Sequence, residues 1–399
     1  MHARRVLART LRPGDRSSTR GQSPDRSASC DRVRSTVISL PRLSRPGVSD
    51  GAQRPASPVS EAAVVVIGVD LGGTKVAAAR LRGRELGSPV IQPTDRSGPV
   101  ALLDQVVALV YDVRRDRPVH AVGIGVPSVV DFETGSVVSS VNLPLADVPL
   151  RQLLRKRLGL PVFVDNDATV TAFAEAHDEE LRMVAPNLVM ITVGTGIGGG
   201  LVLGGRIYRG ATGGAGELGH TLVGVPLTGA APSRVEFPQP ASLEHLAAGR
   251  ALDRLAEEAA AGDPDSPLGR WRAEGKPVFG ADVVRAAHAG DAMAARVVEI
   301  WGERVGIGVA NAINTFDPDE VVIGGGGAQA GELLLEPVRR MALAYVLPGV
   351  GRRTRIRLAR YGVRAGVLGA ALLALHELGQ PCRAEMSYRR GGSPIGGCY

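Results

Sequence analysis

Residues 64–83 read Val-Val-Val-Ile-Gly-Val-Asp-Leu-Gly-Gly-Thr-Lys-Val-Ala-Ala-Ala-Arg-Leu-Arg-Gly, which predicts a strand, a glycine turn, a second strand and another glycine turn. Residues 188–205 read Leu-Val-Met-Ile-Thr-Val-Gly-Thr-Gly-Ile-Gly-Gly-Gly-Leu-Val-Leu-Gly-Gly and repeat that order. Glycine suits such turns because it permits positive φ and lets a ligand approach the backbone. The repeat predicts two half-molecules of one plan that face each other across a cleft, where ligands commonly bind.

The first glycine turn, residues 70–75, differs from the two commonest nucleotide-binding loops. The P-loop and the dinucleotide fingerprint each open a helix. Here residues 76–81 continue as a strand instead. Unpaired backbone N–H groups and the Thr74 hydroxyl at a strand end can hold phosphate oxygens. The sequence therefore predicts a phosphate-binding hairpin and excludes both commoner loops.

Asp70 supplies a carboxylate to this turn. Hard cations prefer oxygen ligands, and Mg²⁺ usually keeps several waters. We therefore expect Asp70 to hold a hydrated Mg²⁺. The second copy has Gly194 at the matching place, so that only one half supplies this carboxylate. The alternative is that Asp70 only stabilises the turn by local hydrogen bonding, as aspartates often do.

Charge is distributed unevenly along the 399 residues. Residues 1–60 contain 12 Arg and 4 Asp, and the rest of the chain is close to neutral although the formal total is +7. A basic segment rich in Arg, Ser, Pro and Gly cannot bury enough apolar surface to offset its ordering entropy. We expect residues 1–60 to be a disordered leader or the product of a misread start site, with RNA binding or targeting as the alternative.

The cysteines and the hydropathy exclude further classes. Cys30, Cys382 and Cys398 lie in the two tails without the spacing of a disulfide framework or a zinc site. No apolar run reaches the 18 residues of a membrane helix, and the N-terminus lacks the apolar core of a secretory signal. We expect a cytoplasmic protein with no membrane partner.

From residue 62 onward, short runs rich in Val and Ile alternate with amphipathic stretches, which is typical of an α/β protein. The clearest strands are predicted at residues 64–69, 119–126, 162–164, 188–193 and 320–323. Helices are predicted at residues 102–114, 168–180, 243–260, 280–289, 292–316, 333–345 and 366–378.

Three further motifs stand beside predicted strands. Residues 165–167, Asp-Asn-Asp, can cap the following helix, or Asp167 can accept a proton in phosphoryl transfer. Glu217 and His220 can hydrogen-bond adjacent sugar hydroxyls, although such pairs also occur in metal sites and on surfaces. Residues 321–327 form a strand that ends in glycines, which can hold adenosine or be a plain turn.

In combination and in this order, these segments resemble the ROK family (repressor, open reading frame, kinase), specifically its glucokinase branch, over about residues 64–378. The resemblance implies an actin-like (ribonuclease-H-like) two-domain α/β fold with an interdomain cleft. The small domain would span residues 61–177 and be joined by the final helix at residues 364–379. The large domain would span residues 178–363, and residues 380–399 would form a flexible tail.

The resemblance also implies the residues of the site. Asp167 would take the proton from the attacking hydroxyl. The sugar would be bound by Asn142, Asn166, Asp167, Glu217, His220 and Glu244. ATP would be bound by Asp70, Gly72, Gly73, Thr74 and Lys75 of the first turn, by Gly194, Thr195 and Gly196 of the second, and by Gly324, Gly325 and Gly326.

One departure from the family concerns zinc. The family commonly carries three cysteines that bind zinc with the histidine corresponding to His220. Val235, Phe237 and Ser242 stand at those positions here, and Val and Phe cannot ligate a metal while Ser is a poor zinc ligand. We expect no zinc site. Glu244 remains, and nearby prolines are expected to stiffen the loop that presents it.

These observations predict phosphorylation of a hexose by ATP and Mg²⁺, most simply of glucose to glucose 6-phosphate, with Asp167 as the general base. N-acetylmannosamine and fructose are alternative acceptors, and polyphosphate is the alternative donor. The other function class is a sugar-responsive transcriptional regulator or a non-catalytic sugar-binding protein, but residues 1–60 lack the two-helix periodicity of a helix-turn-helix. We expect no nucleic-acid partner, and we expect a homo-oligomer.

Overall fold

The computed structural model describes residues 64–115, 117–140, 142–224 and 237–379. The predicted leader at residues 1–60 and tail at residues 380–399 lie outside these ranges, as does Val235. Within these ranges, no helix is both long enough and apolar enough to cross a membrane.

The first part of the described chain builds a mixed sheet. It contains β1 (Val65–Leu71), β2 (Lys75–Arg82), β3 (Glu85–Leu86), β4 (Val90–Pro93), α1 (Pro99–Arg114), β5 (Ala121–Val126), β6 (Ser128–Asp131), β7 (Ser136–Ser140), α2 (Leu150–Leu158), β8 (Val162–Asn166) and α3 (Asp167–Glu175). The strand order is β3-β2-β1-β5-β8, with β4 beside β2. β1 and β2 form an antiparallel hairpin, and β5 and β8 continue the sheet in parallel. β6 and β7 form a separate hairpin.

The second part repeats this plan. It contains β9 (Leu188–Val193), β10 (Ile197–Leu203), β11 (Arg206–Ile207), α4 (Leu243–Ala247), α5 (Gly249–Gly262), α6 (Pro267–Ala273), α7 (Gly280–His288), α8 (Ala292–Phe316), β12 (Glu320–Gly324), α9 (Glu332–Tyr345), β13 (Arg355–Leu358) and α10 (Ala365–Leu378). The strand order is β11-β10-β9-β12-β13, again an antiparallel hairpin followed by two parallel strands. The fold is therefore actin-like, as the sequence repeat and the resemblance predict.

Helices α3 and α10 lie between the two sheets. Side chains alternate along each strand, so that Ile67 of β1 packs with α1 and α2 while Val66 packs with α3 and α10. In the second sheet, Ile191 packs with the helices from α4 to α9 while Met190 faces α3 and α10. One apolar core therefore lies between the sheets, and each sheet has another core on its outer face.

The final helix returns to the first sheet, as the resemblance implies. Gly123 of β5 permits its close approach, because a Cβ at Gly123 would overlap the carbonyl oxygen of Ala370 in α10. The first sheet is built before residue 178 and the second after it. The domain limits at residues 61–177 and 178–363 remain a prediction.

Two predicted helices differ from the observed ones. The helix predicted at residues 243–260 is divided into α4 and α5, because Ala248 is extended and the N–H of Gly249 donates to Gly194 O at 2.7 Å. The helix predicted at residues 168–180 ends at Glu175, whose carboxylate binds Arg357 at 2.7 Å. In both cases a partner distant in sequence determines where the helix ends.

Candidate active site

A cavity of about 940 Å³ lies where strands of both sheets end. Most of the predicted site residues line it. They are Asp70, Lys75, Asn142, Asn166, Asp167, Gly194, Thr195, Gly196, Glu217, His220, Glu244, Gly325 and Gly326. Gly72, Gly73, Thr74 and Gly324 are not among its lining residues. The structure thus brings all the predicted sugar-binding residues and most of the predicted nucleotide-binding residues to one cavity, while their individual roles remain predictions.

Asp70 faces the layer of α3 and α10, because its neighbours Val69 and Leu71 face the outer core of the first sheet. Gly366 at the start of α10 lies against its carboxylate, since an ideal Cβ at Gly366 would be 2.6 Å from Asp70 Oδ2. Any larger residue at position 366 would displace the carboxylate. The sheet and α10 together fix the direction of Asp70.

The pKa of Asp70 is raised to about 6, because burial and the nearby charge of Asp167 raise it by more than Lys75 lowers it. A bound cation would oppose both the burial and the repulsion between the carboxylates. An oxygen ligand in this setting fits the Mg²⁺ that the sequence predicts at Asp70. The residues present therefore suit the metal.

The sequence predicted that Gly194 stands at the position in the second hairpin that matches Asp70. The structure shows that this prediction was wrong by two residues. Asp70 is the penultimate residue of β1, and Gly72 opens the turn with a hydrogen bond across it. In the second hairpin the penultimate residue of β9 is Thr192, and Gly194 opens the turn in the same way. Thr192 lines the cavity and was not predicted. The match between Asp70 and Thr192 could not be recognised from the sequence, because Thr192 lies inside an apolar run and is typical of a strand there.

Asn166 and Asp167 stand at the junction of β8 and α3. Asn166 caps the helix, since its Oδ1 accepts the N–H of Thr169 at 3.1 Å, and its Nδ2 donates to Ser128 O at 3.3 Å. Asp167 is the first helical residue, and its Oδ1 accepts the N–H of Ala168 at 2.8 Å. Asn166 thus has the capping role that the sequence left open, and its cap holds Asp167 at the cavity.

Burial raises the pKa of Asp167, although the hydrogen bond from Ala168 acts in the opposite direction. A general base is most effective when its pKa approaches the working pH. The raised pKa of Asp167 therefore suits a carboxylate that accepts a proton near neutrality.

The second glycine turn is braced by α4 and α5. Glu244 Oε2 accepts the N–H of Ile197 at 2.7 Å. A Cβ at Gly196 would overlap the Glu244 carboxylate, so glycine is required for this contact. The carbonyl of Gly194 accepts the N–H of Gly249. Glu244, which the resemblance assigns to the sugar, therefore also contacts the turn predicted to hold phosphate.

Glu217 directly precedes the short 3₁₀ helix Leu218–His220, and His220 is its last residue. The distance from His220 Nε2 to Glu217 Oε2 is 3.8 Å, and both side chains remain partly exposed at the cavity. The ring of Phe237 meets the His220 ring edge-on, with centroids 5.5 Å apart. Both polar side chains keep atoms available to hydrogen-bond a ligand.

Hydrogen bonds hold the segment before Glu244. Ser242 is fully buried and caps α4, since its Oγ accepts the N–H of His245 at 3.1 Å. The N–H of Val223 donates to Ala241 O at 2.9 Å, and this pairing continues between the two segments at Leu243. Among the residues that the structure describes, no three His, Cys, Asp or Glu side chains are grouped so as to hold a metal. The absence of zinc from the protein remains a prediction.

The cavity extends to the end of β12. Gly325 has a φ of 78° there and is followed by the 3₁₀ helix Gly326–Ala330. Gln329, Ala359 and Val363 also line the cavity and were not predicted. No motif marks these three residues, because an apolar or amide side chain can line a nucleotide site without a fixed spacing.

A sequence model of the ROK family matches residues 66–377. A glucokinase from Halalkalibacterium halodurans is 35% identical over 314 residues, which are 77% of this chain and 94% of the relative. The crystal structure of a ROK family glucokinase from Streptomyces griseus in complex with glucose and AMPPNP is 32% identical, with a TM-score of 0.64 over 78% of this chain and 99% of that one. A putative xylose repressor from Caldicellulosiruptor is 32% identical over 66% of this chain and 64% of its own length.

Proposed function

We propose, given that the chain belongs to the ROK family and is a sugar kinase, that it transfers the γ-phosphoryl group of ATP to a hexose, with glucose as the leading acceptor. The similarity to a glucokinase that was solved with glucose and AMPPNP supports both ligands. N-acetylmannosamine, fructose and the donor polyphosphate are the alternatives to be tested.

The observation that carries the proposal is the meeting of Asp70 and Asp167 at one cavity. Asp70 lies in β1 and Asp167 directly follows β8, and the two are near enough for the charge of Asp167 to raise the pKa of Asp70. Phosphoryl transfer needs one carboxylate to accept a proton and another to hold the metal that neutralises phosphate charge. Two buried carboxylates beside glycine turns supply both.

In the proposed mechanism, Glu217 and His220 hold the sugar hydroxyls, and Asp167 accepts the proton of the attacking hydroxyl. Backbone N–H groups of the turn at Gly194 orient the phosphates for in-line transfer. Asp70 would hold Mg²⁺, which when bound neutralises charge on the phosphate oxygens. Closure of the cleft would exclude water, which would otherwise compete with the sugar as acceptor.

The other function class predicted from the sequence is a regulator, and a putative xylose repressor matches the chain at 32% identity. That match covers 64% of the repressor's length. Sugar binding alone needs neither a metal-holding carboxylate nor a base at the acceptor hydroxyl. The buried pair Asp70 and Asp167 therefore favours catalysis.

The test is ADP release from ATP and Mg²⁺ with a panel of glucose, fructose, mannose, N-acetylglucosamine and N-acetylmannosamine. We expect the highest kcat/KM with glucose. Replacing ATP by polyphosphate and measuring the sugar phosphate directly decides the donor. Sugar binding without phosphorylation of any panel member would favour the regulator.

The sharpest variant is Asp167→Asn. It keeps the size and the hydrogen bond to Ala168 but cannot accept the proton, so we expect kcat to fall by about 10²- to 10⁴-fold. Sugar binding, measured by calorimetry, should change little. A near-normal kcat in a variant that binds sugar normally would show that another group is the base.

A further inference from the structure

Arg209 is a buried cation behind the cavity. It follows β11, and its side chain is 14% exposed. Its Nε donates to Asp165 Oδ2 at 2.7 Å, and its Nη2 donates to Glu377 Oε1 at 3.2 Å. The guanidinium carbon lies 3.5 Å from the ring centre of Phe132. Strand β8, helix α10 and the turn between β6 and β7 therefore all meet at one side chain from the second half of the chain.

The contact with Asp165 leads directly to the proposed base. Asp165 precedes Asn166 in β8, and its Oδ1 accepts the N–H of Asn166 at 2.9 Å. Burial raises the pKa of Asp165, whereas the charge and hydrogen bond of Arg209 lower it. Arg209 thus favours the ionised carboxylate that holds this peptide. This peptide directly precedes Asp167, the first residue of α3.

The contact with Phe132 leads to the sugar side of the cavity. Phe132 lies in the turn between β6 and β7, and Ser128 at the start of that hairpin lines the cavity. Arg209 also begins the segment that ends in Glu217 and His220. One guanidinium therefore contacts both the strand that leads to the base and the β6–β7 hairpin.

A stabilising role alone does not explain why an arginine stands here. The cost of desolvating a buried ion pair often cancels its Coulomb energy, and an apolar side chain of similar volume can stabilise as well. Arginine offers in addition a planar fork with fixed donor directions and a face that stacks on aromatic rings. Arg209 uses two of its donors and the face, each on a different element.

We propose that Arg209 is a positioning residue for the phosphoryl transfer of the proposed function, on which this inference rests. By holding Asp165, Glu377 and Phe132 together, it fixes Asp167 and the sugar-side hairpin in one arrangement. It contacts neither substrate in this role. Its loss should therefore reduce turnover through misplacement of the base, with little effect on the nucleotide turns.

The chain offers a matched control in Arg357. Its side chain is 20% exposed, binds Glu175 at 2.7 Å and binds Glu320 at 2.8 Å. This network, which Arg360 joins at 3.6 Å from Glu175 and 3.5 Å from Glu320, lies at the opposite end of α3 from Asp167, and none of its members is among the described residues that line the cavity. Arg357→Met therefore removes a buried arginine and leaves two carboxylates, as Arg209→Met does, without touching the base.

The experiment compares kcat, both KM values and unfolding for Arg209→Met, Arg209→Lys and Arg357→Met. Sugar-binding stoichiometry from calorimetry converts each rate to kcat per binding-competent molecule. For Arg209→Met we expect a fall in this kcat of about 10- to 100-fold, the cost of displacing a catalytic group by about 1 Å. The KM for ATP should stay within about twofold, because the nucleotide turns keep their contacts. Arg209→Lys should lie between wild type and Arg209→Met.

A merely structural role predicts something different. Arg209→Met and Arg357→Met would then lose stability alike and keep a normal kcat per binding-competent molecule, and that result would overturn the proposal. If Arg209→Met does not fold, the comparison of Arg209→Lys with Arg357→Lys decides in the same way. A wild-type protein that phosphorylates no sugar would overturn the proposed function together with this inference, whereas active wild type and an equally active Arg209→Met would overturn the inference alone.

Discussion

The hairpins β1–β2 and β9–β10 occupy the same place in their sheets but carry different chemistry at the same strand position. Asp70 and Thr192 are each the penultimate residue of the first strand, and each lines the cavity. Asp70 has a carboxylate whose pKa is raised to about 6, whereas Thr192 has a hydroxyl that stays neutral. The two halves agree in backbone plan and differ where a ligand would contact them.

The surroundings of the two turns differ in the same sense. The start of α10 lies against Asp70 through Gly366. In the second hairpin the carboxylate comes from another element, since Glu244 of α4 accepts the N–H of Ile197. A carboxylate therefore stands on the strand in one half and is supplied from a helix in the other. From this asymmetry we expect metal handling at the first hairpin and phosphate contact at the second.

The largest expected effect comes from replacing the two penultimate residues. Asp70→Asn should lower kcat/KM for Mg-ATP by about 10²- to 10³-fold, as expected when one preorganised electrostatic group is lost. Thr192→Val should cost no more than about tenfold, because a single neutral hydrogen bond is worth only about 0.5–1.5 kcal/mol. Steady-state kinetics at saturating sugar measure both. Equal losses would contradict the asymmetry.

Glu244 should show the next largest effect. Glu244→Gln keeps an oxygen that can accept the N–H of Ile197 but loses the charge, so we expect the KM for sugar to rise by about tenfold while the KM for ATP stays unchanged. Glu244→Ala leaves that N–H without its partner, and both KM values should rise. If Glu244→Gln changed only the KM for ATP, the residue would belong to the phosphate side alone.

Asp70→Asn should stabilise the folded protein although it lowers the activity. A carboxyl whose folded pKa is raised destabilises the folded state once it is ionised, so the cost is fully present above about pH 6 and disappears as the pH falls toward the unfolded value near 4. We expect Asp70→Asn to raise Tm by about 2–6 °C at pH 8. The difference should shrink between pH 6 and pH 4. Thr192→Val, measured by the same calorimetric scans, should show no such pH dependence.

The central strands β1, β5, β8, β9 and β12 could be predicted because strands buried on both faces read as continuous apolar runs, whereas the short strands β3, β4, β11 and β13 were not predicted. Asp70 and Asp167 could be found because a carboxylate directly after such a run interrupts it. The division of the helix at Ala248 could not be predicted, since alanine favours a helix and the break depends on the distant carbonyl of Gly194. The helix boundaries that were predicted wrongly are those that tertiary contacts determine.

The role of Arg209 could not be predicted from the sequence for a related reason. Its partners Asp165 and Glu377 lie 44 and 168 residues away, and no local spacing connects them. Thr192 escaped because a threonine in a strand is unremarkable without the register of the second hairpin. Sequence thus located the residues that form motifs at strand ends, and the structure was needed for those that depend on which segments meet.

The smallest expected effect would identify which carboxylate controls the activity in acid. With Asp70 ionising near pH 6, kcat/KM for Mg-ATP should fall below about that pH, because the protonated acid cannot hold the metal. Lys75 lowers the pKa of Asp70, whereas burial and local hydrogen bonds set the pKa of Asp167. Lys75→Met should therefore move the acid limb of the pH profile of kcat/KM to higher pH, and Lys75→Arg should leave this limb in place.

The size of this shift follows from the exposure of Lys75. Interactions of exposed charges are worth about 0.2–1 kcal/mol, and one pKa unit corresponds to about 1.36 kcal/mol, so the limb should move by a few tenths of a unit. Salt at about 0.5 M should reduce the difference, because it screens an exposed charge. This shift is a change in the pH at which kcat/KM falls. It is separate from any decrease in the maximum of kcat/KM that weaker ATP binding causes. If the acid side of the pH profile does not move in Lys75→Met, the titration belongs to Asp167. The proposal that the first hairpin holds the metal would then be contradicted.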